Sequence, residues 1–210
     1  MGLTLVTGPT SLPVDASDMS AELHAFSNTA ESADALTQKL HDAVGFLEGQ
    51  TCRAFMSATW MQTLNEWPGA DCDGYYTVKL GITPLASITH VKYYDADGTL
   101  TTVSSSDYWT ITTSTPPKIA FKSTSFDFPT LEDGRPEAIQ ITFVAGHASK
   151  AAVPHKIKAA VKALATHWYN QRDVVVSPNV AAPTGPAASA TELPYGLKAL
   201  IADLNASGYS

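Results

Sequence analysis

Residues 85–103, "LASITHVKYYDADGTLTTV", carry the reading on which the fold turns. Two runs rich in β-branched and aromatic residues flank Asp97-Gly98. An Asp-Gly pair between alternating runs is the strongest short-range hairpin signal, because the tight turn needs positive φ that Gly supplies without strain. The same texture extends from Ser57 to Ala145. "SATWMQTLNEWP" alternates Trp60, Gln62, Leu64 and Glu66 and stops at Pro68, while "YYTVKL", "DYWTITT", "PKIAF" and "EAIQITFVAG" are further candidate strands. An antiparallel β unit of about six short strands is expected here.

On both sides the apolar residues recur at helical spacing instead. In "AAVPHKIKAAVKALATHWYNQRD", Ile157, Ala160, Val161, Leu164, Ala165 and Trp168 share one face, and Pro154 suits a first helical turn, where its missing N–H costs nothing. Upstream, Leu36, Leu40, Ala43, Val44 and Leu47 form a second stripe on a helix expected to reach about Phe55. Met19, Leu23 and Phe26 mark a short helix before it. "SPNVAAPTGPAASATE" has three prolines and no period, so it reads as a spacer, and Leu197, Leu200, Ile201 and Leu204 mark a short closing helix. The expected fold is α+β: a helical bundle of a long N-terminal helix, a long C-terminal helix and a short terminal helix, with a central antiparallel β insertion. Its expected divisions are residues 1–56 (N-terminal helices), 57–146 (β-rich insertion), 147–173 (long bundle helix), 174–192 (Pro/Ala-rich spacer) and 193–210 (a C-terminal docking arm).

The composition, 44% hydrophobic and 16% charged over 210 residues, is that of a globular chain with enough length for a core. No apolar run reaches the ~20 residues that span a bilayer, so no membrane partner is expected. "MGLTLVTGPTSLPVD" lacks the basic start of a secretory signal, and a protein made in the cytoplasm is expected. Net charge is −7, unevenly spread: residues 1–50 hold seven acids against Lys39 alone, whereas residues 150–210 are net +3 through Lys150, Lys156, Lys158, Lys162, Arg172 and Lys198 against three acids. An acidic front half argues against sequence-independent nucleic-acid binding, which needs clustered cations to displace counterions. Cys52 and Cys72, the two cysteines, are expected to be small buried hydrophobes.

Catalytic and metal motifs fail on inspection. "DADGTL" and "DCDGYY" begin like calcium loops, but the glycine stands fourth instead of sixth, so both are expected to be turns. The six histidines form neither HExxH nor a zinc spacing, and P-loop, GxGxxG and GxSxG patterns are absent, so neither a cofactor nor an enzyme is expected. "HWYNQRD" gathers His167, Trp168, Tyr169 and Arg172, but helical geometry puts Trp168 on the apolar face, His167 and Tyr169 on its flanks, and Arg172 one turn on, against Trp168. The cluster is expected to be structural.

"VPHKIKAAVKALATHWYNQRDVVV" followed by "LPYGLKALIADL" resembles the C-terminal half of the head–tail connector (head-completion or adaptor) proteins of long-tailed double-stranded DNA phages and gene-transfer particles. The matching residues include Val153, Pro154, Ile157, Lys158, His167, Trp168, Tyr169, Arg172, Leu193, Pro194, Gly196 and Leu197. Upstream, "ALTQKLHDAVGFLEGQTCRAFMSATWMQTLNEWP" is similar to the family's long helix and first aromatic strand.

The resemblance implies a structural virion protein in the neck: a twelve-fold ring between the portal protein and a stopper or tail-completion protein, with DNA only as passing cargo. It implies that Leu193, Pro194, Leu197, Leu200, Ile201 and Leu204 dock on the portal or a neighbouring copy. Ring contacts join two different surfaces of one chain, and the charge map makes Lys156, Lys158 and Lys162 candidates for the basic side. The alternatives are another neck role, a β-rich binding module of a tail using Tyr75, Tyr76, Tyr93, Tyr94, Tyr108 and Trp109, and an enzyme built on His147 or His167.

Overall fold

The computed structural model describes residues 2–19, 30–71, 74–124, 126–171 and 195–206. Among them are eight strands and four α-helices: β1 (Gly2–Thr7), α1 (Ala16–Met19), α2 (Ala30–Thr51), β2 (Ala58–Leu64), β3 (Tyr76–Lys79), β4 (Leu85–Tyr94), β5 (Leu100–Val103), β6 (Tyr108–Ile111), β7 (Lys118–Phe121), β8 (Ile139–Ala145), α3 (His155–Gln171) and α4 (Tyr195–Ala206). They fall into two compact units. One gathers residues 2–11 and 52–152; the other gathers residues 12–51 and 153–206 among those described.

This overturns the expected fold class. The chain is not a helical bundle carrying a β insertion, and it has no long N-terminal bundle. Helix and strand contribute about equally, the strands form two antiparallel sheets, and the protein is mostly β-rich. Two physical facts account for the difference. Residues 2–7, read as part of a helical region, pair antiparallel with β2 and extend the sheet. The strands also bury a core of their own, centred on Val91, Ile119, Phe121, Ile139, Ile141 and Phe143, so they do not depend on helices for a hydrophobic interior.

The first sheet runs β1-β2-β8-β4-β5 and the second β3-β7-β6. The hairpin of residues 94–100 forms as its Asp-Gly requires. Gly98 has φ of +76°, and the Asp95 carboxylate accepts from Asp97 N–H (3.1 Å), Thr99 N–H (2.9 Å) and Thr101 Oγ (3.3 Å). Asp71 repeats the device, accepting from Tyr75 N–H (2.8 Å) and Thr77 Oγ (3.4 Å). In both calcium-like segments the first aspartate thus serves the protein's own chain. Gln62 is fully buried in β2, where its amide donates to the Lys79 carbonyl (2.8 Å) and accepts from Gly81 N–H (2.9 Å), tying the two sheets together. Trp67 anchors an aromatic cluster, with Tyr93, Phe121, Phe126 and Phe128 at centroid distances of 5.3–5.5 Å, and its indole donates to the Pro129 carbonyl.

In the helical unit the predicted stripes are the buried residues. Leu36, Leu40, Ala43, Val44 and Leu47 of α2 are buried, as are Ile157, Ala160, Val161, Leu164 and Ala165 of α3. Helix α2 ends at Thr51, four residues short of the expected Phe55. Cys52 turns into the left-handed region (φ +51°), where a helix cannot continue, and the Thr51 hydroxyl back-bonds to the Leu47 carbonyl at 2.7 Å. Cys52 is an exposed free thiol, not the buried hydrophobe expected. Cys72, and Leu23 and Phe26 of the short helix, lie outside the described residues.

Candidate assembly surfaces

Helix α3 presents the surface on which the sequence reading concentrated. Pro154 opens it, accepting from Ile157 N–H at 3.1 Å, and Lys156, Lys158 and Lys162 lie outside its buried stripe. The structure separates these three. Lys156 pairs with Asp203 of α4 at 2.8 Å, and Lys162 donates to the Asp18 carbonyl at the end of α1 at 3.1 Å. Lys158 and Lys162 line an open groove of about 430 Å³ with His155, Ala159 and Ala163. Two of the three candidate contact lysines therefore already help to hold the helical unit.

The HWY cluster also divides. Trp168 is half-buried and meets Phe46 of α2 edge-on, with centroids 5.7 Å apart and planes at 79°. Tyr169, expected on the flank, is the more deeply buried ring at 9% exposure. Its position four residues after Ala165 and eight after Val161 continues the buried stripe, a signal that the reading from Trp168 passed over. His167 is half-buried. Arg172, expected to stack on Trp168, lies outside the described residues.

At the other end, α4 packs on α3 and α2. Leu197 and Leu204 are buried there, while Leu200 and Ile201 are half-buried. Leu193, Pro194 and the spacer of residues 174–192 lie outside the described residues.

Of the two histidines of the enzyme alternative, His147 follows β8 and His167 lies on α3. Burial, with the charge of Arg53 second, holds the His147 imidazole below its ordinary pKa, and burial with Lys92 does the same for His90. The backbone of His147 is engaged in the sheet, its carbonyl accepting from Ser57 N–H at 3.0 Å. Among the described residues, no three His, Cys, Asp or Glu side chains converge as a metal would require, and no helix is long and apolar enough to cross a membrane. The aromatic residues of the binding-module alternative split: Tyr76, Tyr93 and Tyr108 pack in or against the core, and Tyr94 lies beneath the Arg135 guanidinium, 3.3 Å from its ring centroid. Tyr75 and Trp109 remain exposed, at 54% and 51%.

No family model and no curated protein matches the chain. Solved structures do. A chain in the virion of a native gene transfer agent (GTA) particle is 24% identical, with a TM-score of 0.70, over 97% of this chain and 95% of that one. A chain in the neck of an empty GTA particle, computed with C6 symmetry, is 24% identical, with a TM-score of 0.71 over the same shares. A chain in the neck of the native GTA particle, computed with C12 symmetry, is 27% identical, with a TM-score of 0.68, over 97% and 94%. The first two establish likeness of fold. The third carries the likeness further and supports a structural, non-enzymatic protein located in the neck of a virion-type particle. The neck that holds the third chain has twelvefold symmetry.

Proposed function

We propose that this chain is a head–tail connector, or adaptor, subunit. Twelve copies form a ring that binds the portal protein on one side and a stopper or tail-completion protein on the other, and packaged DNA passes through. The observation that carries this reading is the end-to-end likeness, at 27% identity, to a chain of a twelvefold particle neck. The charge agrees with it, since a chain of net −7 does not grip a passing polyanion as a basic wall would.

Within this reading the C-terminal segment meets the portal or a neighbouring copy. Leu197 and Leu204 are committed to their own unit, so the contact falls to the half-buried Leu200 and Ile201, with Leu193 and Pro194 before them. Of the α3 lysines, Lys158 is the favoured subunit contact, because Lys156 and Lys162 each hold a partner within the unit. The reading is tested by imaging particles from cells that lack the protein. An adaptor predicts DNA-filled or leaking heads that retain the portal but carry no stopper and no tail. Heads that still bear a ring beneath the portal and lack only a lower neck component would assign the chain a stopper or tail-completion role instead.

A further inference from the structure

The three-stranded sheet has one face in the core and one turned away, and its register decides which residues lie on each. The row Tyr76–Phe121–Tyr108 belongs to the core face, since Phe121 and Tyr108 are buried in the cluster. The alternate rows, Thr77–Ala120–Trp109 and Lys79–Lys118–Ile111, therefore point the other way. Lys79 and Lys118 thus stand directly opposite one another on adjacent strands. Like charges in that position destabilise a ladder. Among the described residues no ion pair reaches either lysine, although the chain has 20 acids to 13 bases.

A third lysine extends the patch. Lys122, just beyond β7, continues the ladder by donating its N–H to the Asp107 carbonyl at 2.9 Å. Its ammonium lies 5.0 Å from the Trp109 ring centroid and donates to the Ser106 carbonyl at 2.6 Å. The cation is held over an indole that is 51% exposed. At the edge of β3, an open cleft of about 410 Å³ is lined by Trp67, Glu66 and Lys79 among others. Opposed like charges and an exposed tryptophan both work against an isolated fold, and departures of that kind mark surfaces shaped by function.

We propose that this lysine–tryptophan face docks an acidic surface of a second copy of the chain and forms one side of the ring contact; the inference rests on the ring reading above. A protein partner is favoured over DNA. An exposed Trp is an anchor residue of protein interfaces, whereas three lysines on a chain of net −7 make a poor phosphate track. A second copy is favoured among proteins because a ring contact joins two different surfaces of one chain. This chain supplies the complement itself: residues 1–50 carry seven acids and one lysine, with Asp18 and Asp34 exposed.

The test is zero-length carbodiimide cross-linking, which joins an amine to a carboxylate it touches, on necks assembled from a mixture of light and heavy-isotope copies. The expected products join Lys79 or Lys118 of one copy to an Asp or Glu of another. In parallel, K79E/K118E should keep the wild-type melting temperature, since it exchanges one opposed like-charge pair for another without touching the core. Its incorporation into necks should fall by about tenfold or more. Normal incorporation of that variant overturns the inference, as do cross-links from these lysines only to a different neck protein, or a loss of DNA binding with rings intact. Copy-to-copy cross-links found elsewhere but not at these lysines sink this inference alone. The absence of any copy-to-copy cross-link sinks the ring reading itself.

Discussion

Gly146 lies at the end of β8 with φ of +103°, and a Cβ placed there would collide with the Met56 carbonyl. Backbone cannot yield as a flexible side chain can, so Gly146→Ala combines conformational strain with overpacking. It should cost about 3 kcal/mol, read as a lower denaturation midpoint at unchanged m-value. One residue on, His147 makes the same unit sensitive to acid. Burial and Arg53 depress its folded pKa, so folding favours the neutral ring. That stability is complete above the ordinary imidazole pKa of about 6.5 and is lost as pH falls below it toward the lower folded value. The wild-type melting temperature should fall as pH drops below about 6.5, and His147→Asn should flatten that slope, leaving the part due to His90, which is depressed in the same direction. Parallel curves for the two proteins would remove His147 from the account. Neither residue announces its role in the sequence: positive φ at Gly146 and the nearness of Arg53 to His147 both arise from pairing between segments about 90 residues apart.

At the level of elements, the contact between α2 and α3 can be measured directly. A double-mutant cycle on Phe46→Ala and Trp168→Ala should return a coupling of about 0.5–1.5 kcal/mol for the edge-on pair. Tyr169→Ala should cost more than Trp168→Ala, because Tyr169 is the more buried of the two. For α4, Leu204→Ala should destabilise the free subunit by about 2–4 kcal/mol, since its side chain is 1% exposed within its own unit. An unchanged melting temperature would mean that the helix leaves that unit in solution. What could be read in advance follows from period and turn chemistry. The stripes of α2 and α3, the strands between residues 58 and 145 and the Asp97-Gly98 turn all lie in local patterns. The strand β1 escaped because Gly2–Thr7 is short and acquires its identity only by pairing with β2, more than 50 residues away. The candidate surfaces were less legible still. Spacing marks Lys156, Lys158 and Lys162 as one set, yet only the folded unit reveals that Asp203 and the Asp18 carbonyl claim two of them. The opposition of Lys79 and Lys118 needs a strand register that no local pattern contains.

For the whole molecule, the assembly reading predicts that surface charge and subunit stability separate. Lys158→Glu should leave the free subunit's melting temperature within the scatter of surface substitutions, about 0.5 kcal/mol, while lowering its share in assembled necks when it competes with wild type in the same cell. Equal incorporation would clear α3 of any part in the contact. The chain path has a further consequence. Each unit is assembled from two separated stretches: residues 2–11 with 52–152, and residues 12–51 with 153–206. A ribosome delivers these in order, so β1 emerges long before its partner β2, and α2 emerges long before α3. The stripe of α2 must therefore stay unsatisfied while about a hundred residues of sheet are made. The sheets can close once β8 has emerged, ahead of the helical unit. During synthesis, Leu36, Leu40 and Leu47 form a sticky nascent surface whose proper mate does not yet exist. Chaperone dependence and off-pathway aggregation should map to that interval, and ribosome-bound chains arrested just after residue 152 should resist protease across the sheets but be cut within α2.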